Sequence, residues 1–174
     1  DVQSGMVRSV MPWQLRTYGN WEKIASILTT FGCFNAILKH AGAIELASLL
    51  LHFEPSERIR IARELTSDLF NSNLTNEEQH KGGVSVFDLL DECGLYGECL
   101  TKIAQHLVEI ASTNNTFSPS QKVAAYLRHG LAEYRLKNYR QASDAYSKAF
   151  DLAREDGAGC SVGSILNGIG LCMQ

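Results

Sequence analysis

The chain has 174 residues, of which 45% are hydrophobic and 20% charged, with a formal net charge of −3. That length supports one or two compact units, and the charge leaves no basic footprint for a nucleic acid. Five cysteines without regular spacing make no disulfide framework, and neither a signal peptide nor a membrane-length apolar run occurs; a reducing, cytoplasmic setting is the expectation.

Residues 1–70 read as a run of short helices. Pro12 marks a helix start and Gly19 a break, after which Asn20 caps a helix with Trp21, Ile24, Leu28 and Phe31 in one stripe. A short helix carrying Phe34, Ile37 and Leu38 ends at Gly42. Ile44 to Phe53 is almost all apolar and reads as a buried helix, too short to cross a bilayer. Pro55 and Ser56 open an amphipathic helix with Ile61, Ala62, Leu65 and Leu69 on its apolar face. Arg58, Arg60 and Arg63 lie mostly off that face, as a solvated helix surface does.

Residues 71–83, NSNLTNEEQHKGG, are polar and end in two glycines, which predicts a loop. Residues 84–112 read as a helical hairpin, and 113–122 as a second polar loop leading into a helix. Asn73-Leu74-Thr75 and Asn114-Asn115-Thr116 match the glycosylation sequon, a match frequent by chance and without effect in a cytoplasmic chain.

Residues 123–156 are the most informative stretch. Val123, Tyr126, Leu127, Gly130, Leu131 and Tyr134 recur at three and four, so they share a helix face. Ser118 before Pro119 is a start signal, and Asn138 tolerates the left-handed conformation that ends a helix. A second helix from Tyr139 to about Glu155 buries Ala142, Ala145, Tyr146, Ala149, Phe150 and Ala153. Gly130 and Ala142 let the two backbones approach, and the aromatics fill the space around them. Residues 160–174 read as the first helix of a further pair, with Gly170 in the place of Gly130.

In their order of large and small residues, Tyr126, Gly130, Tyr139, Ala142, Tyr146 and Ala149 resemble the tetratricopeptide repeat (TPR). The family's late aromatic in the first helix is displaced onto Tyr134, with Glu133 in its slot. Upstream, Gly94, Leu95, Tyr96, Cys99, Ile103 and His106 are similar to a degenerate copy, His106 being a poor stand-in for alanine. The copies are about 40 residues apart, longer than the usual 34, as in kinesin-light-chain and nephrocystin-type relatives. Met11, Pro12, Trp13, Gln14, Leu15, Trp21, Glu22, Leu28, Thr29 and Phe31 resemble the helical connector between the nucleotide switch and the repeats of signal-transduction NTPases with numerous domains. The resemblances imply an all-α fold: an α-solenoid of TPR-like hairpins behind a small helical connector. They also imply a fragment of a larger signalling NTPase, with the ATPase module before residue 1; an independent TPR adaptor is the alternative.

The chemistry expected of such a chain is non-covalent binding of a protein or peptide. Cys93, Cys99, His80 and His106 lack the compact Cys-x2-Cys pair of a zinc site. No cysteine or histidine sits in a nucleophile motif, and Asp88, Asp91 and Glu92 read as solubilising charges. GAGCSVGS at 157–164 lacks the Gly-Lys-Ser/Thr ending of a phosphate loop. No catalytic, cofactor-binding or metal-binding residue is assigned. The concave side of stacked helix pairs supplies the candidate groove: Leu127, Arg128, Leu131 and Arg135. Co-chaperone members of the family grip a carboxylate with Lys and Asn at places that hold Leu127 and Leu131 here, so the resemblance implies an apolar-to-mixed ligand or packing onto adjacent repeats.

Overall fold

A computed structural model describes residues 20–155 and 162–173, and every regular element among them is a helix. The motif Met11 to Leu15, the break at Gly19 and most of the glycine-rich segment 157–164 lie outside the described residues. The chain divides into two units, one of residues up to Asn73 with Asp88–Leu95, the other of Leu74–Phe87 with Tyr96 onward.

The first unit holds α1 (Trp21–Thr29), α2 (Phe31–Ala41), α3 (Ala43–Leu50) and α4 (Pro55–Asn71). α1 packs on α2 and α4, and α2 on α3 and α4. Asn20 caps α1 as expected, its Oδ1 accepting from the Lys23 N–H at 3.1 Å. The stripe Trp21, Ile24, Leu28, Phe31 is interrupted at Thr30: Phe31 stays buried but opens α2. Trp21 lies at the surface, stacked on His52 and edge-on to Phe53 with ring centroids 5.9 and 5.3 Å away.

One expectation fails here. Ile44–Phe53 is not buried throughout; α3 presents one face, with Leu46, Leu49 and Leu50 inside and Ile44 82% exposed. An eight-residue helix packed on one side has no second apolar environment to offer. Cys33 is exposed. The arginines of α4 serve local geometry: Arg60 bridges Glu57 and Glu64, and Arg58 Nε donates to the Phe53 carbonyl at 2.8 Å.

The N-terminus of α2 has no side-chain cap of its own. Its Phe31 N–H donates instead to the Asp68 carboxylate of α4 at 2.7 Å. A carboxylate there satisfies an orphan donor and meets the positive end of the helix. Asp68→Ala is therefore expected to cost about 1 kcal/mol. Urea denaturation checks this, and an unchanged midpoint contradicts it.

The second unit contains the first part of α5 (Asn76–Glu92), then α6 (Glu98–Thr113), α7 (Pro119–Arg135), α8 (Tyr139–Glu155) and α9 (Val162–Cys172). Helices pack in chain order, α6 on α7, α7 on α8 and α8 on α9, with a smaller contact between α7 and α9. The bounds of α7 and α8 follow the predicted hairpin closely.

The loop expected over 71–83 is corrected: residues 76–83 are helical, and the hairpin expected to begin at 84 begins at Asn76. A capping box starts α5. Thr75 Oγ1 accepts from the Glu78 N–H at 3.3 Å, while Glu78 Oε2 accepts from the Thr75 N–H at 2.9 Å. That reciprocal bond from Thr75 holds the Glu78 carboxyl below its usual range. Gly83 is a packing glycine, not a breaker: a Cβ there would stand 3.0 Å from Leu107 Cδ2. The sequon residues are structural too. Asn114 Oδ1 accepts from the Thr116 N–H at 3.0 Å, closing the turn before α7.

Candidate protein-binding surface

The surface is set by how α7 and α8 meet. Ser118 Oγ accepts from the Gln121 N–H at 3.3 Å and Gln121 Oε1 accepts from the Ser118 N–H at 2.9 Å, a capping box with Pro119 at the first helical position. At the other end the left-handed residue is Lys137, with φ 64°, and not Asn138. Asn138 acts through its side chain: Nδ2 donates to Glu133 Oε2 at 2.8 Å, and its own N–H donates to the Glu133 carbonyl at 2.9 Å. Glu133 is thus a buried anchor for the turn, 5% exposed.

Tyr146 is the centre of the hairpin. A Cβ on Gly130 would lie 2.6 Å from Tyr146 Cε1, and one on Gly168 would lie 2.8 Å from Cε2. The ring is wedged between glycines of α7 and α9. Gly170, two residues further along α9, has nothing within 4 Å of its missing Cβ. Ala142, Ala149, Ala153, Val123 and Ile165 complete the buried cluster. Tyr126 is half-buried on its edge with Lys148 Nζ 5.9 Å from its ring centroid, and Tyr139 is exposed with its ring 5.7 Å from that of Tyr134. The six repeat-packing residues therefore divide: Gly130, Ala142, Tyr146 and Ala149 are buried, Tyr126 lines the cluster, and Tyr139 marks the outer turn.

The four residues expected to line a groove are not equivalent. Leu127 packs against the hairpin cluster. The Arg128 guanidinium carbon lies 5.9 Å from the Phe87 ring centroid, and that of Arg135 lies 4.6 Å from the Tyr96 ring. Both arginines therefore lean on aromatics of the preceding helix pair, a cation–π arrangement that orders them. Leu131 is half-buried and contributes apolar surface between them. The sequence pattern locates α7 but does not show which aromatic each arginine meets.

Three histidines are held in the second unit. His80 is 8% exposed, its ring 4.8 Å from that of Phe117, and its Nε2 has no hydrogen-bond partner among the described residues. His106 Nε2 lies 3.2 Å from Gln79 Oε1, and His129 Nε2 lies 3.5 Å from Glu133 Oε1. Burial pushes all three below the ordinary imidazole value. Arg128 adds to this at His80, whereas Glu109 opposes it at His106 and Glu133 at His129. The unfolded chain consequently takes up protons that the folded chain refuses. The stability is complete above the unfolded value, near pH 6.5, and is lost as pH falls below it through the depressed folded values. The melting temperature is expected to drop between about pH 7.5 and about pH 5.5, before carboxylates titrate. A flat profile over that interval refutes this.

Among the described residues, no group of three or more His, Cys, Asp or Glu side chains is placed to hold a metal ion. No helix among them is long and apolar enough to cross a membrane. The Cys93 thiol is pushed up chiefly by burial, with Glu92 adding and Arg58 opposing, so it is held as the thiol rather than the nucleophilic thiolate. No protein family, curated protein or solved structure matches this chain.

Proposed function

We propose that the chain is a non-enzymatic interaction scaffold, built of tetratricopeptide-like hairpins stacked as a solenoid. Its mode of action is non-covalent binding of a protein or peptide along the face bearing Leu127, Arg128, Leu131 and Arg135. In the fuller form of this reading the chain is the connector and first repeats of a cytoplasmic signalling NTPase, and the groove is coupled to its nucleotide switch.

The observation that carries the reading is the serial packing of α6, α7, α8 and α9, each on its predecessor, with Tyr146 wedged between glycines of α7 and α9. Helices that contact mainly their sequence neighbours are what a repeat stack requires. The ordered arginines and half-buried Leu131 favour a ligand of mixed character, and intramolecular packing accounts for part of the same face.

Affinity capture on the intact protein tests the proposal, comparing it with a Leu131→Arg variant of unchanged helicity. Partners retained by the parent and lost from the variant are the expected result. Capture unaffected by the substitution overturns the groove. Stoichiometric zinc in the purified protein overturns the non-enzymatic reading.

A further inference from the structure

Among the described residues Glu133 is the one buried acid. A carboxylate taken out of water needs its charge answered by neighbours. Two groups answer it, on opposite oxygens. Asn138 Nδ2 donates to Oε2 at 2.8 Å, and His129 Nε2 stands 3.5 Å from Oε1, beyond a good hydrogen bond. His129 and Glu133 are four residues apart on α7, so they share a face. The charged groups that bear on the His129 imidazole are Glu133 from α7 and Lys148 from α8. α9 brings none, because residues 157–174 hold no Asp, Glu, Lys or Arg. The Lys148 ammonium also lies 5.9 Å from the Tyr126 ring centroid, three residues before His129 on the same helix.

The turn that Glu133 holds is the weak point of the hairpin. Residues 135–141 are exposed without interruption. Lys137 carries φ 64°, a left-handed conformation that is costly for a residue with a Cβ. The bonds that close the turn centre on Asn138. Its N–H donates to the Glu133 carbonyl at 2.9 Å, its side chain to the Glu133 carboxylate, and its carbonyl accepts from the Ala142 N–H at 3.0 Å. A segment with exposed backbone bonds and little buried contact opens locally, ahead of the core.

We propose that His129, Glu133, Asn138 and Lys148 form a proton-sensitive lock on the α7–α8 turn, closed while His129 is neutral and released when His129 gains a proton. Neutral His129 leaves the carboxylate to Asn138. An imidazolium competes with Asn138 for that carboxylate and stands as a second cation beside Lys148 in the α7–α8 interface. Glu133 favours the proton, but burial and Lys148 oppose it and prevail, which holds the imidazole below its ordinary range. The closed turn therefore refuses a proton that the opened turn accepts. Closure is complete above the ordinary imidazole value, about pH 6.5, and is lost as pH falls below it. The lock needs no ligand in the groove, so its test is independent of the binding surface.

Amide exchange of the full chain tests the lock, compared at about pH 7.5 and about pH 5.5 after correction for intrinsic rates. The Asn138 and Ala142 amides are expected to lose about tenfold in protection at the lower pH, while the Ala145 and Ala149 amides in the middle of α8 hold. His129→Gln keeps a donor opposite Glu133 but cannot titrate, so it should abolish the pH response of the turn. Lys148→Gln removes the opposing cation, narrows the gap in proton affinity between closed and opened turn, and should shrink the response. Should His129→Gln fail to fold, Lys148→Gln decides the matter alone. A parent response that survives intact in His129→Gln belongs to His80 or His106 and overturns the proposal. So does protection at the turn that is flat with pH, or an undiminished response in Lys148→Gln. A turn that opens only in step with Ala145 and Ala149 marks global unfolding and overturns it too.

Discussion

Tyr146→Ala is expected to be the most damaging single substitution in the second unit, costing about 3–5 kcal/mol. The ring is 6% exposed and fills the interval between α7 and α9. Gly130 and Gly168 carry no side chain that could relax into the vacated volume, so the cavity stays open and its lining loses contacts outright. The loss is shared by two interfaces, α7 with α8 and α8 with α9. Amide exchange should therefore rise in α7, α8 and α9 together. Exchange within α1–α4, which belong to the other unit, should hold. Tyr146→Phe keeps the wedge and should recover most of the stability. A melting shift in Tyr146→Ala no larger than in Tyr146→Phe contradicts the wedge.

How far the sequence is legible depends on whether a signal is local. The α7–α8 hairpin is readable because its period, its Ser118-Pro119 start and its small residues all lie within the segment that folds. The beginning of α5 is equally local, since Thr75 and Glu78 spell a capping box, but Gly82 and Gly83 point the other way. Glycine weakens a helix in isolation; at Gly83 the close approach of Leu107 supplies a reason for it that only tertiary packing reveals. The turn before α8 misleads for a similar reason. Asn138 has the right intrinsic preference, yet its side chain is more useful on Glu133, and the strained φ passes to Lys137. Burial in short helices is the least legible property. Ile44 and Leu46 are both apolar, and only the position of neighbouring helices puts the second inside and leaves the first in water. The two arginines of α7 show the same division: the sequence places Arg128 and Arg135 on one helix, but Phe87 and Tyr96, which order them, come from elements far away in the chain.

The glycines of α9 provide a test in which neighbouring positions must respond with opposite sign. Gly168 meets the Tyr146 ring, whereas Gly170 has nothing within 4 Å of its missing Cβ. Gly170→Ala adds no contact and raises helix propensity, so it should stabilise α9 by about 0.5–1 kcal/mol. Gly168→Ala gains the same propensity but drives a methyl into a ring that is held on its opposite edge by Gly130. That ring cannot move aside, because a Cβ-sized displacement toward α7 meets backbone. Net destabilisation is the expected result. Gly130→Leu takes the same collision further, between two helices already in close contact, and should cost about 1–3 kcal/mol or more. Urea unfolding of the three variants measures the signs directly. If Gly170→Ala destabilises and Gly168→Ala does not, Gly170 rather than Gly168 lies against the hairpin, and the Tyr146 wedge is misplaced. The opposite pair of signs fixes the third helix on the second by a single aromatic ring. The ring at that position touches both α9 and α7, the helix that carries Leu131, Arg128 and Arg135.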